Sequence, residues 1–217
     1  MQKYEYVEKP EYAPVRKELE LIINRVQAVM RIKYGLTFQF RLIGSGQRHL
    51  ITRIKGGNRG YDFDYNLILS PPSDGYRYIA KVIKQEFIDA LKIALQGLNY
   101  SFPKDSTSSI TIKVIDKGKK KILYSCDFAI IYYGSNDGYD GYYYLRNNKS
   151  QRSYQFVFRT LNSEIDEKVQ EIIEDDGWPY IEEEYLLLKN INEDNKKHSF
   201  SLYAEAVNNV YNQMYLQ

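Results

Sequence analysis

The sequence has a single cysteine, no long hydrophobic run and almost no net charge, and each of these absences narrows what the chain can be. Cys126 is the only cysteine, which excludes an internal disulfide and a zinc site built from several thiols. No segment approaches the roughly 18 consecutive apolar residues of a membrane span. The N-terminal stretch MQKYEYVEKPEY also lacks the apolar core of a signal peptide. We therefore expect a soluble, cytoplasmic protein with no membrane partner.

Charge and length set further limits. The chain has 217 residues, with 30 Lys and Arg against 28 Asp and Glu, for a formal net charge of +2. The overall charge therefore gives no reason to expect a nucleic-acid partner, although local basic stretches leave that possibility open. The length fits one domain, or one domain with a small helical lobe, and the sequence has no internal repeats.

The hydrophobic pattern predicts helices and strands in an α+β arrangement. Apolar residues at helical spacing predict a long helix over residues 13–34, ended by Gly35, and a second helix over 79–98. A helical pattern returns from residue 163 and includes a last helix over 199–215. Runs of β-branched and aromatic residues predict strands at 38–43, 61–69, 109–116 and 122–133, a flexible loop at 134–141, and a half-buried hairpin of 142–145 and 153–158 turning at Asn147-Asn148.

A glycine–serine turn follows the first predicted strand. Gly44, Ser45 and Gly46 come directly after an apolar strand, and glycine lets backbone N–H groups approach an anion while the serine hydroxyl adds a donor. We interpret this turn as a phosphate-binding site. The connection that follows, residues 48–59, is basic and rich in glycine. It could bind a polyanionic acceptor or form a solvated hairpin, and the sequence favours neither.

Two aspartates lie in the next predicted strand. Asp62 and Asp64 are two residues apart in the segment YDFDYNLIL, so they project from one face of the strand with Cα atoms roughly 7 Å apart. An Asp-x-Asp pair arises readily by chance, but unpaired charges inside an apolar strand are costly. Carboxylate oxygens favour Mg²⁺ or Mn²⁺. A phosphate-binding turn beside such a cation site indicates phosphoryl or nucleotidyl transfer.

A third aspartate stands alone in an apolar strand. Asp127 lies within the segment LYSCDFAIIY, which has the character of a central strand of a sheet. A buried carboxylate needs a partner. The cation that Asp62 and Asp64 imply would supply one, whereas a nearby lysine or a turn would be the alternative.

These pieces, in this order, resemble a known superfamily. A Gly-Ser turn, a strand carrying Asp62 and Asp64, a helix, and a separate strand carrying Asp127 resemble the nucleotidyltransferase superfamily with the DNA polymerase beta type of palm, over about residues 13–133. The long helix before the turn resembles the spine helix of the CD-NTase branch, the bacterial relatives of cyclic GMP-AMP synthase and oligoadenylate synthetase. The segments 185–189 (YLLLK) and 199–203 (SFSLY) are similar to that branch's leucine-leucine-lysine helix and its following serine and aromatic segment.

The resemblance implies a fold and a set of roles. It implies a mixed or antiparallel palm sheet flanked by the spine helix (residues 1–160), with a small helical lobe (161–217) packed on this core. It further implies that Asp62, Asp64 and Asp127 are catalytic and ligate Mg²⁺ or Mn²⁺. The residues that it assigns to binding the nucleotide triphosphate are Gly44, Ser45, Lys189 and Ser201.

The expected activity is transfer of NMP from an NTP to an acceptor hydroxyl, with release of pyrophosphate. The acceptor could be a second nucleotide, giving a second messenger, or RNA, a protein side chain or a small antibiotic. One alternative is a catalytically silent module that binds nucleotide or RNA. The other is an unrelated α+β interaction protein, in which the three aspartates should not converge.

Overall fold

The computed structural model describes residues 3–73, 77–161, 163–194 and 197–216. After a short first strand, the chain forms a long helix, strands, a helix, further strands and then helices, which is the order that the hydrophobic pattern predicts, with one short extra helix among the first strands. The helices are α1 (Lys9–Tyr34), α2 (Gly44–Arg48), α3 (Ala80–Ala94), α4 (Glu164–Glu174), α5 (Trp178–Ile191) and α6 (Ser199–Tyr215). The strands are β1 (Tyr4–Tyr6), β2 (Phe38–Ile43), β3 (Thr52–Ile54), β4 (Tyr61–Leu69), β5 (Lys104–Asp105), β6 (Ile110–Asp116), β7 (Lys121–Asn136), β8 (Tyr139–Asn148) and β9 (Ser153–Thr160).

The chain forms two compact units. The sheet unit comprises Val7–Ile51 and Gly57–Leu161. The helical unit comprises, among the described residues, 3–6, Thr52–Gly56 and the chain from residue 163 onwards. The division predicted from the sequence, residues 1–160 and 161–217, stays a prediction. Among the helices of the described ranges, none has the length and apolar character needed to cross a membrane.

The sheet unit is built on a seven-stranded mixed sheet. Strands run in the order β2-β4-β7-β6-β5, and β8 pairs with β7 and with β9. The β4–β7 pair is parallel and the other pairs are antiparallel. A parallel pair needs a long crossover connection, and the chain between β4 and β7 includes α3. The predicted α+β fold with a mixed sheet and a long N-terminal helix is therefore confirmed.

The core lies on one face of this sheet. β4 alternates between buried and more exposed residues along its whole length, with Phe63 and Tyr65 fully buried. Helices α1 and α3 contact each other and share the hydrophobic core with these strand residues. Because successive strand residues point to opposite faces, burying this set leaves the alternate residues of β4 on the other face.

Helix α1 begins four residues before its predicted start. It starts at Lys9 rather than residue 13, because Pro10 lies in the first turn, where its missing N–H has no intrahelical partner to lose. Its end is as predicted. Gly35 adopts a left-handed conformation with φ of 65° and its N–H donates to the carbonyl of Arg31, which suits glycine as a helix cap.

The predicted flexible loop at 134–141 is wrong. Strand β7 continues to Asn136, a two-residue turn at Asp137 and Gly138 follows with φ of 51° and 81°, and β8 begins at Tyr139. An Asp-Gly pair with positive φ at both positions is a typical hairpin turn. The next hairpin turns at residues 149–152 rather than at Asn147-Asn148, because those two asparagines still pair with β9.

The basic connection after α2 also contains a strand. β3 pairs antiparallel with β1 near the N-terminus, an element that the hydrophobic pattern does not predict. Arg53 Nε lies 2.8 Å from Glu5 Oε1 across this pair. The solvated hairpin considered from the sequence is therefore wrong for this part of the connection, which pairs with a distant strand.

Substitution of Gly60, which directly precedes β4, is expected to have a large effect on the stability of the fold. Its φ is +64°, and a Cβ atom there would lie 2.2 Å from the carbonyl oxygen of Leu123 in β7. Both the backbone conformation and the contact exclude a larger residue. We expect Gly60→Ala to lower the free energy of unfolding by about 2–4 kcal/mol, measured by urea denaturation. The matched control is Gly56→Ala, at a φ of +67° with open space around its Cβ position; an equal loss in both variants would assign the effect to φ alone.

Candidate active site

Strand β4 presents two carboxylates on the face opposite the core. Tyr61, Phe63 and Tyr65 are buried, whereas Asp62 is exposed and Asp64 is partly buried. The alternation of buried and exposed residues arises from the sequence itself, because each aspartate lies between two aromatic residues that are buried in the core. The apolar residues therefore fix the face on which the aspartates stand.

The parallel pairing of β4 with β7 brings the third carboxylate to the same place. Asp127 is the register partner of Asp64, and Ser125 is the partner of Asp62. Because register partners project from the same face of a sheet, the structure brings all three predicted aspartates together on one face.

The glycine–serine segment lies against this group. Instead of an open turn, Gly44 and Ser45 form the start of the short helix α2, which directly follows β2. Ile43 pairs with Asp64, and a Cβ atom on Gly44 would lie 3.1 Å from Asp64 Oδ2. Gly44 has a φ of +65°. The absence of a side chain at residue 44 thus keeps space open beside the Asp64 carboxylate.

Hydroxyl groups that the sequence did not single out hold two of the carboxylates. Ser125 Oγ donates a hydrogen bond to Asp62 Oδ1. Asp127 Oδ1 accepts hydrogen bonds from Ser109 Oγ at 3.1 Å and from Thr111 Oγ1. Ser125 is detectable in principle, because it lies two residues before Asp127 on the same face of the strand. Ser109 and Thr111 are recognisable only from the pairing of β6 with β7.

The electrostatics of the group are dominated by Asp64. Its pKa is raised to about 7, first by burial and then by the negative charges of Asp127 and Asp62. Both causes disfavour the ionised carboxylate. The three carboxylates therefore repel one another at neutral pH, and a cation bound among them would relieve the repulsion.

The donor set fits a hard divalent cation. Carboxylate oxygens are the ligands that Mg²⁺ and Mn²⁺ prefer, and Asp62, Asp64 and Asp127 share one face of the sheet. Within the described ranges, no three or more His, Cys, Asp and Glu side chains are grouped closely enough to hold a metal ion. Asp62, Asp64 and Asp127 thus have the ligand chemistry for such a cation without forming a closed metal site.

Lys84 is a further charged residue close to this set. It is buried in α3, with 1% of its surface exposed, and its Nζ lies 3.4 Å from Asp105 Oδ1. Burial lowers the Lys84 pKa overall, and the negative charges of Asp105 and, to a smaller extent, Asp127 oppose this shift. The direct ion pair of Lys84 is thus with Asp105 rather than with Asp127.

The two C-terminal candidates belong to the helical unit. Lys189 in α5 donates a hydrogen bond to Ser199 Oγ at 2.9 Å, and its Nζ lies 4.8 Å from the centroid of the Tyr4 ring. Ser201 is exposed near the start of α6, where its N–H donates to the carbonyl of His198. The structure thus pairs Lys189 with Ser199, and the roles of Lys189 and Ser201 in binding stay predictions.

Comparison with solved structures identifies the fold. The GTP-bound form of DncV from Vibrio cholerae matches with a TM-score of 0.66 at 13% identity, over 94% of this chain and 67% of that one. The chain has the nucleotidyltransferase fold. A second structure of this dinucleotide cyclase, a point mutant in complex with ATP, GTP and 5MTHFGLU2, matches with a TM-score of 0.64 at 12% identity, over 94% and 69% of the two chains.

A different protein with the nucleotidyltransferase fold gives a weaker match. CdnC from Escherichia coli MS115-1, solved with ATP, has a TM-score of 0.51 at 16% identity, over 94% of this chain and 62% of that one. These neighbours confirm the resemblance in fold that the sequence predicts. At sequence level, neither the comparison with protein-family models nor the search of curated proteins finds a match.

Proposed function

We propose that this protein is a nucleotidyltransferase of the CD-NTase type, which transfers NMP from an NTP to an acceptor hydroxyl and releases pyrophosphate. One observation carries this proposal: the β4–β7 register sets Asp62, Asp64 and Asp127 on one face, beside Gly44. The nucleotidyltransferase fold supports it, since neighbours with this fold were solved with ATP or GTP.

In the proposed reaction, the acceptor oxygen attacks the α-phosphorus of the NTP. A new oxygen–phosphorus bond forms, the bond to the bridging oxygen of the β-phosphate breaks, and pyrophosphate leaves with the bonding electron pair. Asp127 accepts the proton of the attacking hydroxyl and passes it to solvent. Gly44 and Ser45 hold the triphosphate in line.

Asp62, Asp64 and Asp127 are the residues that would hold Mg²⁺ or Mn²⁺. When bound, such a cation neutralises charge on the attacking and leaving oxygens. The hydroxyls of Ser109 and Thr111 both bind Asp127 Oδ1, so neither of them occupies Oδ2. The chain itself thus orients the third carboxylate before any ligand arrives.

The acceptor that we propose is a second nucleotide. One DncV structure contains the linear intermediate 5′ pppA(3′,5′)pG, which is the product of transfer to a nucleotide hydroxyl in that protein. A nucleotide acceptor would make the product of this chain a signalling oligonucleotide.

The experiment that tests the function is incubation of the purified protein with each labelled NTP and mixtures of them, with Mg²⁺ or Mn²⁺, followed by chromatography and mass spectrometry. We expect a new nucleotide species and pyrophosphate. Pyrophosphate released only after addition of RNA or protein would show that this macromolecule, rather than a second nucleotide, is the acceptor. No product under any of these conditions would favour a silent binding module.

Ser45 gives a prediction about substrate binding. Ser45→Ala removes one hydroxyl donor from the proposed triphosphate site, so we expect NTP affinity to fall by about 1–3 kcal/mol, or roughly 5- to 150-fold. The affinity can be measured by isothermal titration with a non-hydrolysable NTP. Ser150→Ala, in an exposed turn, serves as the matched control. Unchanged affinity in Ser45→Ala would remove Ser45 from the site.

A further inference from the structure

A buried lysine under the sheet organises the segment that carries one of the hydroxyls bound to Asp127. Lys84 lies on the apolar face of α3, where its neighbours Ile83 and Phe87 are core residues. Its Nζ donates to the carbonyl of Ser109 at 2.9 Å and approaches that of Ser106 at 3.5 Å. An ammonium group taken out of water requires such partners, so its position is tightly constrained.

Asp105, the ion-pair partner of Lys84, is also held by hydrogen bonds to its other carboxylate oxygen. Asp105 Oδ2 accepts hydrogen bonds from Asn147 Nδ2 at 2.8 Å and from the Tyr154 hydroxyl at 2.7 Å. Its other oxygen, Oδ1, faces Lys84 at 3.4 Å and, in the described part of the chain, makes no hydrogen bond. The segment from Asp105 to Ser109 is therefore fixed at one end through Asp105 and along its length by the two carbonyls that Lys84 binds.

This segment connects directly to the proposed active site. Ser109 binds Lys84 through its carbonyl and Asp127 through its hydroxyl. Ser106 Oγ also lies 2.9 Å from Thr111 Oγ1, and Thr111 is the second donor to Asp127. Both hydroxyls that orient Asp127 are thus linked to Lys84 through the residues that it binds.

We infer that Lys84 is a positioning residue for Asp127: its ammonium group fixes the Asp105–Ser109 segment, so that Ser109 and Thr111 hold the carboxylate in the orientation that receives a divalent cation. The inference rests on the proposed function for its consequence in catalysis. Lys84 acts through Ser109 and Thr111 and does not touch the reacting atoms.

The test uses Lys84→Met, which keeps most of the side-chain volume and removes the ammonium group. Binding of Mn²⁺ alone can be measured by electron paramagnetic resonance and isothermal titration, with no nucleotide present. We expect Mn²⁺ affinity to fall about 10- to 100-fold, the usual cost of losing a residue that orients a metal ligand. For NTP turnover we expect kcat to fall by a similar factor. Lys92→Met on the exposed side of the same helix, where Lys92 pairs with Asp89, is the matched control and should change neither.

A second variant separates positioning from stability. Lys84→Met leaves the partly buried Asp105 without its cation, which destabilises the fold, whereas Lys84→Met combined with Asp105→Asn removes both charges. We expect the double variant to melt within a few degrees of the wild type and still to bind Mn²⁺ weakly. Recovery of wild-type Mn²⁺ affinity in the double variant would overturn the inference.

A double-mutant cycle tests the route through Ser109. Ser109→Ala alone should weaken Mn²⁺ binding, and adding Lys84→Met should cost less than the sum of the two single effects, because both act on the same carboxylate. Fully additive losses would contradict the inference. If the wild type binds Mn²⁺ and the cycle is non-additive but no NTP is turned over, the proposed function fails while the role of Lys84 stands.

Discussion

Replacing both β4 aspartates is expected to abolish nucleotidyl transfer. Asp62→Asn with Asp64→Asn removes two of the three carboxylates from the shared face, and with them the charge that would hold a divalent cation. Loss of charge stabilisation at a reacting centre is costly even for one group, so we expect a fall in kcat/KM of at least about 10³-fold. Product formation from labelled NTP is the measurement.

The control for this prediction is chemically matched. Asp137→Asn changes an exposed aspartate with a φ of 51°, a conformation that asparagine adopts as readily as aspartate. Its activity should equal that of the wild type. Full activity in the Asp62/Asp64 variant would show that these carboxylates do not carry the reaction, and loss of its cooperative unfolding would show that the effect is structural.

The same carboxylates should make stability depend on pH. The Asp64 pKa is about 7 in the folded protein against an ordinary value of 3.8, so between these values the folded state holds a proton that the unfolded state has lost. Stability from this group is therefore greatest below pH 4 and is lost as pH rises to 7. The shift corresponds to about 4 kcal/mol, which solvent screening of the partly exposed carboxyl reduces to about 1–3 kcal/mol.

Asp64→Asn removes this penalty, so it should stabilise the protein in the absence of metal. We expect little difference from the wild type at pH 4 and a gain of about 1–3 kcal/mol at pH 8, measured by urea denaturation in the presence of EDTA. Adding Mg²⁺ or Mn²⁺ at pH 8 should then raise the melting temperature of the wild type more than that of the variant. A difference that stays constant across pH would show that the Asp64 carboxyl ionises normally.

The central part of the fold could be predicted from local patterns alone. Strand β2 has the predicted bounds, and so does β4, because their aromatic and aliphatic residues recur at strand spacing and are bounded by glycine or proline. The paired aspartates and the single aspartate likewise lie in strands, as predicted, whereas Gly44 and Ser45 begin helix α2 rather than an open turn. These features are local in sequence, and local features are what periodicity detects.

The parts that could not be predicted depend on contacts between distant residues. The pairing of β1 with β3 joins two three-residue strands, which are too short for an alternating pattern to be visible. The donors to Asp127 come from β6 and the residue before it, so they require knowledge of the register. Lys84 is visible in the sequence as a lone charge on an otherwise apolar helix face. Its partner could not be predicted, because Asp105 lies 21 residues further along the chain.

The parallel register of β4 and β7 makes the site a reporter of correct folding. Asp64 and Asp127 are 63 residues apart in sequence and become neighbours only when the two strands pair. A slip of one residue would turn Asp127 to the core side of the sheet. Pairing over such a separation comes late, because closing a long loop has an entropic cost that is recovered only afterwards. Affinity for a divalent cation should therefore appear only after β4 and β7 have paired in register, and misregistered chains should lack it.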